Sequence, residues 1–542
     1  MKVVEAISKI LKIEGVECLI GYPVNHILEY AAHFDIRPII VRQERIGLHM
    51  ADAMSRLSSG EKIGAFAMQH GPGAENAFGG VAQAYGESVP ILVMPMGYAR
   101  RIAHIDPNFN STRSMASITK SAEPITSAAE VVNVMRRAFS NLKNGRGGPC
   151  LVEVPGDLMM EELPGELDYT PVLRTTYGPA PDAVAEAAKM LAEAKNLVIY
   201  AGQGVHYAKA WPQLRALAEL LSAPVCTSIE GKSAFPETHQ LSLGTGGLAM
   251  PRPVRAFLDE ADVIFGVGCS FTETNFGVKM PKGKRVIQAT LDPAHLNKDV
   301  PIEVGLVGDA ALTLDALLAA LKPLVPSPRD AAAVTAKIKA GHEAWFKEWE
   351  PKLTSDAAPL NPYRVIWDLY HTVDVPNTII THDAGSPRDQ ITPFWKAITP
   401  LSYIGWGKTT QLGYGLGLAM GAKLAHPEKL CMNVWGDAAI GFTGMDLETA
   451  VRERIPILSI LLNNFSMAIE LKVMPVSTEK YRSTDISGDY AAMARAFGGY
   501  GERVTDPSEI VAAIKRGVAA TEAGQPALLE FITSKEVEVS RQ

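Results

Sequence analysis

Two apolar runs, each ending in a polar turn, set the tightest limit on how this chain folds. Leu430-Cys431-Met432-Asn433-Val434-Trp435 runs into Gly436-Asp437-Ala438, and Ile455-Pro456-Ile457-Leu458-Ser459-Ile460-Leu461-Leu462 runs into Asn463-Asn464. Between them, Met445-Asp446-Leu447-Glu448-Thr449-Ala450-Val451-Arg452-Glu453 has a helical pattern. Strand, helix, strand is a crossover between parallel strands, and a parallel sheet brings both strand ends to one edge. Asp437 and Asn464 are therefore expected to meet, although 24 residues (Ala439 to Leu462) separate the two motifs. One carboxylate and one amide oxygen make a hard, oxygen-only ligand set. Such a set suits Mg²⁺ carrying a diphosphate, because that ion takes few protein ligands and prefers phosphate oxygens. A Gly-Asp pair alone ends many strands; its spacing to a double Asn is what makes the pattern specific.

At 542 residues the chain is too long for a single core and is expected to form about three domains. Its hydrophobic content of 47% and charged content of 20% are those of a globular protein, and a net charge of −7 argues against a nucleic-acid partner. The cysteines (Cys18, Cys150, Cys226, Cys269 and Cys431) are scattered with no CxxC pair, which argues against a disulfide framework or zinc site and for a reducing compartment. The N-terminal residues start an amphipathic helix without a signal-peptide core, and no apolar run is long enough for a membrane. A cytoplasmic protein with no membrane partner is expected.

Short apolar runs and helical patterns alternate along the whole chain. Val16 to Gly21, Pro38 to Val41, Ile63 to Met68 and Ile91 to Pro95 are predicted strands of a first unit. Asn196 to Tyr200, Pro224 to Thr227, Val263 to Val267 and Val286 to Ala289 belong to a second. Polar, Pro-bearing linkers follow each, at Glu161 to Pro181 and Pro323 to Arg329, and a charged helical stretch follows the latter. The expected fold class is α/β, with three consecutive doubly wound parallel-sheet domains over residues 1–165, 182–322 and 355–542. In the first, Arg42-Gln43-Glu44 ends a strand, and a helix bearing His49-Met50-Ala51-Asp52 follows. A carboxylate there is placed for a ligand, although an acid at a helix start also satisfies the helix dipole.

Arg42-Gln43-Glu44 with His49-Met50-Ala51 resembles the activating-glutamate segment of thiamine-diphosphate enzymes, and Asp437 with Asn464 resembles their metal and diphosphate motif. The resemblance spans essentially the whole chain and implies the domain order pyrimidine-binding, central, diphosphate-binding. Gly436 to Thr449 is most similar to oxalyl-CoA decarboxylases and 2-hydroxyacyl-CoA lyases, as are Gly21-Tyr22-Pro23-Val24 and Gly202-Gln203-Gly204 with Tyr207-Ala208. Gly71-Pro72-Gly73-Ala74 and Leu241-Ser242-Leu243-Gly244 are more similar to acetolactate synthases.

The resemblance implies thiamine diphosphate and Mg²⁺ as cofactors and assigns roles. Glu44 is expected to hydrogen-bond the pyrimidine ring and favour the tautomer that removes the thiazolium C2 proton. Leu412 matches the bulky wedge that keeps the cofactor bent, with the Thr410 carbonyl facing the pyrimidine amino group. Asp437, Asn464 and the Ser466 carbonyl are the expected Mg²⁺ ligands. Gly385, Ser386, Gly436, Ala438, Ala439 and Met467 are further expected cofactor contacts. His70, His26 and Asn110 are candidate catalytic residues facing the substrate, since an imidazole can relay protons at neutral pH. Glu470 matches an acid used in some decarboxylases. Two departures stand out. Ala438 replaces the Gly found in much of the superfamily. Phe271 and Thr290 stand where ADP-binding relatives have an Arg and an Asp, while Arg146 remains.

The activity this implies is C–C cleavage next to a carbonyl, on a 2-hydroxyacyl-CoA or oxalyl-CoA thioester. Its alternative is a 2-oxo acid decarboxylase or carboligase of acetolactate-synthase type. A non-catalytic cofactor-binding subunit would be expected to lose Glu44, Asp437 or Asn464, and all three are present. In this superfamily the pyrimidine and diphosphate domains meet across a subunit interface, so a homodimer or homotetramer is expected.

Overall fold

Each of the three expected units is built around one six-stranded parallel sheet in the computed structural model, which describes residues 1–541. The first sheet contains β1 (Cys18–Gly21), β2 (Arg37–Ile40), β3 (Gly64–Met68), β4 (Ile91–Gly97), β5 (Ser121–Pro124) and β6 (Cys150–Pro155), in the order β2-β1-β3-β4-β6-β5. The second contains β7 (Leu197–Ala201), β8 (Val225–Thr227), β9 (Ser242–Thr245), β10 (Val263–Val267), β11 (Arg285–Thr290) and β12 (Val304–Val307), in the order β12-β11-β10-β7-β8-β9. The third contains β13 (Thr378–His382), β14 (Tyr403–Ile404), β15 (Leu430–Gly436), β16 (Leu458–Asn463), β17 (Tyr500–Val504) and β18 (Ala527–Ile532), in the order β14-β13-β15-β16-β18-β17. The outer two sheets thus share one strand order. The central sheet has the doubly wound order of dinucleotide-binding folds.

Every strand predicted from the sequence lies within three residues of an observed one at either end. The strands without a predicted counterpart include the short or polar edges β5, β14 and β17. β5 and β17 are partly solvated and carry no continuous apolar run, and β14 is buried but only two residues long. The central strands β3, β4, β7, β10, β13 and β16 are buried along their whole length, because helices cover both faces. No helix among the described residues is long and apolar enough to cross a membrane. All five cysteines are buried and unbonded.

The first and third units share one hydrophobic core. The helix Glu44–Leu57 packs against the helix Tyr414–Ala425, placing Ile46, Leu48 and Met50 in one cluster with Leu416, Leu418, Met420 and Trp406. Two glycines permit the approach. A Cβ on Gly417 would lie 2.8 Å from the Ile46 carbonyl oxygen, and one on Gly421 would lie 2.8 Å from Met50 Cα. A buried polar cluster closes the same contact. Arg56 Nε donates to Asp52 Oδ1 at 2.6 Å, Arg56 Nη1 to the Gly405 carbonyl at 2.8 Å, and the Tyr414 hydroxyl to Asp52.

Candidate active site

The register of the third sheet decides what meets at its edge. Gly436 pairs with Leu462, so the residues just beyond each, Asp437 and Asn463-Asn464, face one another. The chain leaves β13 for the edge strand β14 and returns to β15, so the loops after β13 and β15 diverge and open a crevice at this switch point. Gly385, Ser386, Leu412, Gly436, Asp437, Ala438, Ala439, Asn464, Ser466, Met467 and Glu470 all line one cavity there, of about 100 Å³. Thr410 lies two residues outside it, on the loop leading to Leu412.

Asp437 is buried and satisfied by main chain on both oxygens. Its Oδ1 accepts from Ala438 N–H at 2.9 Å, and its Oδ2 from Asn464 N–H at 3.2 Å and Ser466 N–H at 3.1 Å. Burial pushes its carboxyl above the usual range, against those N–H donors. Asn464 Oδ1 and Ser466 Oγ are buried beside it with no hydrogen-bond partner. Unpaired buried oxygens next to a carboxylate are a donor set that fits a hard cation. The Ser466 carbonyl accepts from Ala468 N–H at 2.9 Å and keeps a second lone pair.

The two asparagines have separate tasks. Asn463 donates to Glu530 at 2.7 Å and accepts from Phe465 N–H at 3.0 Å, which braces the turn. Phe465 then takes a left-handed φ of 55° and turns Ser466 back toward Asp437. Asn464 is left to face the cavity. Across the crevice, Gly385 caps the helix Ser386–Phe394 with φ 83°, so that helix directs its first, unpaired N–H groups at the cavity.

Asp383 was not singled out from the sequence. It is fully buried at the end of β13 and accepts from Ala384, Gly413 and Gly415 N–H at 2.8–2.9 Å. Burial raises its carboxyl to about 6. It ties the Gly385 turn to the Leu412 loop. The available signal was the repeated pattern of an apolar run, Asp and a small residue: His382-Asp383-Ala384 echoes Gly436-Asp437-Ala438.

Glu44 starts the helix Glu44–Leu57 and is buried, 5% exposed. Burial raises its pKa, opposed by its own main-chain N–H and the Asn76 side chain. It is not among the residues lining the Asp437 cavity. His70 follows β3; its ring packs edge-on against Tyr98 at 4.5 Å, and its Nδ1 is buried without a partner. His26 is exposed at the start of the helix His26–Ala32. Its neighbour Asn25 is buried and ties β3 to β4 through the Met68 and Met94 carbonyls. Asn110 caps the helix Ser111–Met115, accepting from Arg113 N–H at 2.8 Å and the Thr112 hydroxyl at 2.9 Å. Glu470 lines the cavity with an exposed side chain.

A larger cavity, about 650 Å³, opens at the C-terminal ends of the central strands. Phe271 and Thr290 line it, and so does Arg146, whose guanidinium donates to Ser88 Oγ at 2.6 and 3.0 Å.

Three family profiles match the chain in order. Residues 1–117 match the thiamine pyrophosphate enzyme N-terminal TPP binding domain, 184–317 the central domain, and 383–531 the C-terminal TPP binding domain. A probable acetolactate synthase large subunit of Methanocaldococcus jannaschii is 30% identical, over 98% of this chain and 92% of that relative. The chain belongs to the thiamine-diphosphate-dependent enzymes. This thiamine-diphosphate enzyme also resembles the probable acetolactate synthase large subunit of Methanococcus aeolicus, at 29% identity over 97% of this chain and 91% of the relative. The Escherichia coli acetolactate synthase isozyme 3 large subunit is 28% identical over 93% and 90%. None of the three bears the name of the thioester lyases that Gly436 to Thr449 resembles. Like its family, the enzyme uses thiamine diphosphate with Mg²⁺.

Proposed function

We propose that this enzyme decarboxylates a 2-oxo acid and joins the remaining acyl fragment to a second carbonyl compound. The observation that carries this reading is the similarity to acetolactate synthase large subunits along nearly the whole chain, at 29–30% identity. It replaces the thioester-lyase reading as the first choice.

When bound, the cofactor supplies the electron sink that makes C–C cleavage next to a carbonyl feasible. The chain's own residues prepare it. Asp437, Asn464 and Ser466 hold Mg²⁺, and the N–H groups at Gly385 and Ser386 receive diphosphate oxygens. Leu412 and the Thr410 carbonyl orient the cofactor rings. Glu44 would hold a proton at the pyrimidine nitrogen, and burial, which raises its carboxyl above the usual range, favours the protonated form that donates there. His70, with Nδ1 unpartnered, relays a proton to the substrate carbonyl; Glu470, at the cavity wall, is a second acid. His26 and Asn110 stand further from this chemistry, as an exposed helix-start residue and a cap. In keeping with the family resemblance, a second copy completes each site, and the active unit is a homodimer or homotetramer.

Acid quench followed by mass analysis of cofactor adducts tests the reading. Holoenzyme is mixed separately with pyruvate, oxalyl-CoA and a 2-hydroxyacyl-CoA. An adduct with pyruvate alone supports the 2-oxo acid; adducts only with the thioesters return the protein to the lyase branch. Glu44→Gln is expected to retain cofactor binding and lose most turnover, and full activity in that variant would remove Glu44 from the mechanism.

A further inference from the structure

The segment that leads to Leu412 has no secondary structure of its own between β14 and the helix Tyr414–Ala425, yet its main chain is gripped from another unit. The grip comes from the helix Pro72–Gly86 and its C-terminal cap, in the first unit. Gln83, 1% exposed, donates through Nε2 to the Thr409 carbonyl at 3.1 Å and accepts at Oε1 from Gln411 N–H at 3.3 Å. One helical turn on, Glu87 is fully buried. Its Oε1 accepts from Gly407 N–H at 3.1 Å and from Lys408 N–H at 2.8 Å. Of the five residues preceding Leu412, only Thr410 lacks a main-chain bond to this pair. Two glycines on the same helix make room. A Cβ on Gly79 would strike Gln411 Nε2, and one on Gly86 would lie 3.0 Å from Thr409 Cγ2.

A loop left to itself samples many conformations, and fixing each residue carries an entropic cost. Here two side chains four residues apart on a rigid helix fix that backbone in advance. They bind main-chain groups, so the geometry is imposed whatever side chains the loop carries. We propose that Gln83 and Glu87 form a main-chain clamp, a pair of positioning residues that set the height of Thr410 and Leu412 against the bound cofactor. This rests on the reading above that Leu412 and Thr410 meet the cofactor. The clamp links the first unit to the cofactor loop of the third through main-chain groups, whereas the Glu44 helix reaches these residues only through a side-chain bond, His49 Nε2 to Gln411 Oε1 at 3.0 Å.

The Lys408–Thr409 peptide lies inside the clamped segment and provides a readout independent of turnover. Trypsin nicking after Lys408 in the apoenzyme, followed by mass spectrometry, reports loop release. Gln83→Ala and Glu87→Ala are expected to accelerate that nicking and to weaken thiamine-diphosphate binding roughly tenfold, the effect of about one lost hydrogen-bonded pair. Glu87→Gln keeps the Oε1 acceptor and should restore both readouts to near the wild-type values. If the alanine variants do not fold, Gln83→Glu serves instead: it replaces the Nε2 donor with an oxygen facing the Thr409 carbonyl and should release the loop. Nicking at the wild-type rate with cofactor affinity within twofold of wild type would overturn the clamp. Leu412→Ala, measured alongside, separates the two readings. Reduced turnover there with wild-type behaviour in the clamp variants rejects the clamp alone. Wild-type turnover in Leu412→Ala rejects the cofactor loop itself, and the clamp's role with it.

Discussion

Gly421→Ala tests whether the contact between the Glu44 helix and the Tyr414–Ala425 helix positions Glu44, the proposed activating acid. The added Cβ would lie 2.8 Å from Met50 Cα and 2.9 Å from Ala53 Cβ, and closer still to the Met50 carbonyl oxygen. These neighbours are mostly backbone, so no side chain can swing away. Restoring ordinary contact requires the helices to part by roughly 1 Å, and a gap of that size forfeits a quarter to a half of each dispersion contact across it. Overpacking of this kind costs about 1–3 kcal/mol, while Ala in place of Gly within a helix returns about 1 kcal/mol. The net loss is on the order of 0–2 kcal/mol. The functional effect should be larger, because Glu44 lies on the displaced helix and a 1 Å misplacement can lower a rate about 100-fold. Urea unfolding followed by tryptophan fluorescence reads the first quantity, since Trp406 and Trp435 are in the shared core. Steady-state turnover at saturating cofactor reads the second. A variant that is more stable than wild type and fully active would refute the reasoning, because it would mean that the helices are not in contact there.

Asp437→Ala should weaken Mg²⁺-dependent thiamine-diphosphate binding by at least about 100-fold, since it removes the proposed metal ligand and the acceptor that holds Asn464 and Ser466 in place. Calorimetric titration with and without Mg²⁺ checks this, and equal affinity in the variant would exclude Asp437 from the metal site. Tyr414→Phe removes the hydroxyl that donates to Asp52 and accepts from Arg56 at 3.1 Å, leaving buried partners unsatisfied. It should destabilise the enzyme by about 1–3 kcal/mol in the same unfolding experiment, and no change would show that this cluster contributes nothing to stability. Glu87 carries a pH signature: burial first, and then the neighbouring Glu230, raise its carboxyl from 4.5 to about 7, against Lys408 and Arg56. An acid whose pKa is raised on folding holds a proton that the unfolded chain has released, so its contribution to stability is full below pH 4.5 and is lost as pH rises through 7. The stability of wild type relative to Glu87→Gln should therefore fall across that window, by up to about 3 kcal/mol at 1.4 kcal/mol per pH unit. Parallel curves for the two proteins would contradict the shift.

Residue type and spacing carried a large part of this protein. Most of the central strands, buried on both faces, read in the sequence as apolar runs; β13, with threonine and histidine in it, does not. Parallel pairing of β15 with β16 followed from a helix between them, and with it the meeting of Asp437 and Asn464. These features depend on one element's own periodicity or on neighbours along the chain. Other features required the fold. Asn463 and Asn464 are the same residue type in adjacent positions. Only the bond from Asn463 to Glu530, on a strand 67 residues further along, separates the brace from the proposed ligand. The common strand order of the outer sheets leaves no repeated sequence motif, because topology constrains connections rather than side chains. The grip of Gln83 on Gln411 spans 328 residues and acts on main-chain groups that every residue possesses. A contact of that kind leaves no residue-specific mark on the loop it holds. It exists only once two sheets, folded far apart in sequence, stack against each other and bury both partners.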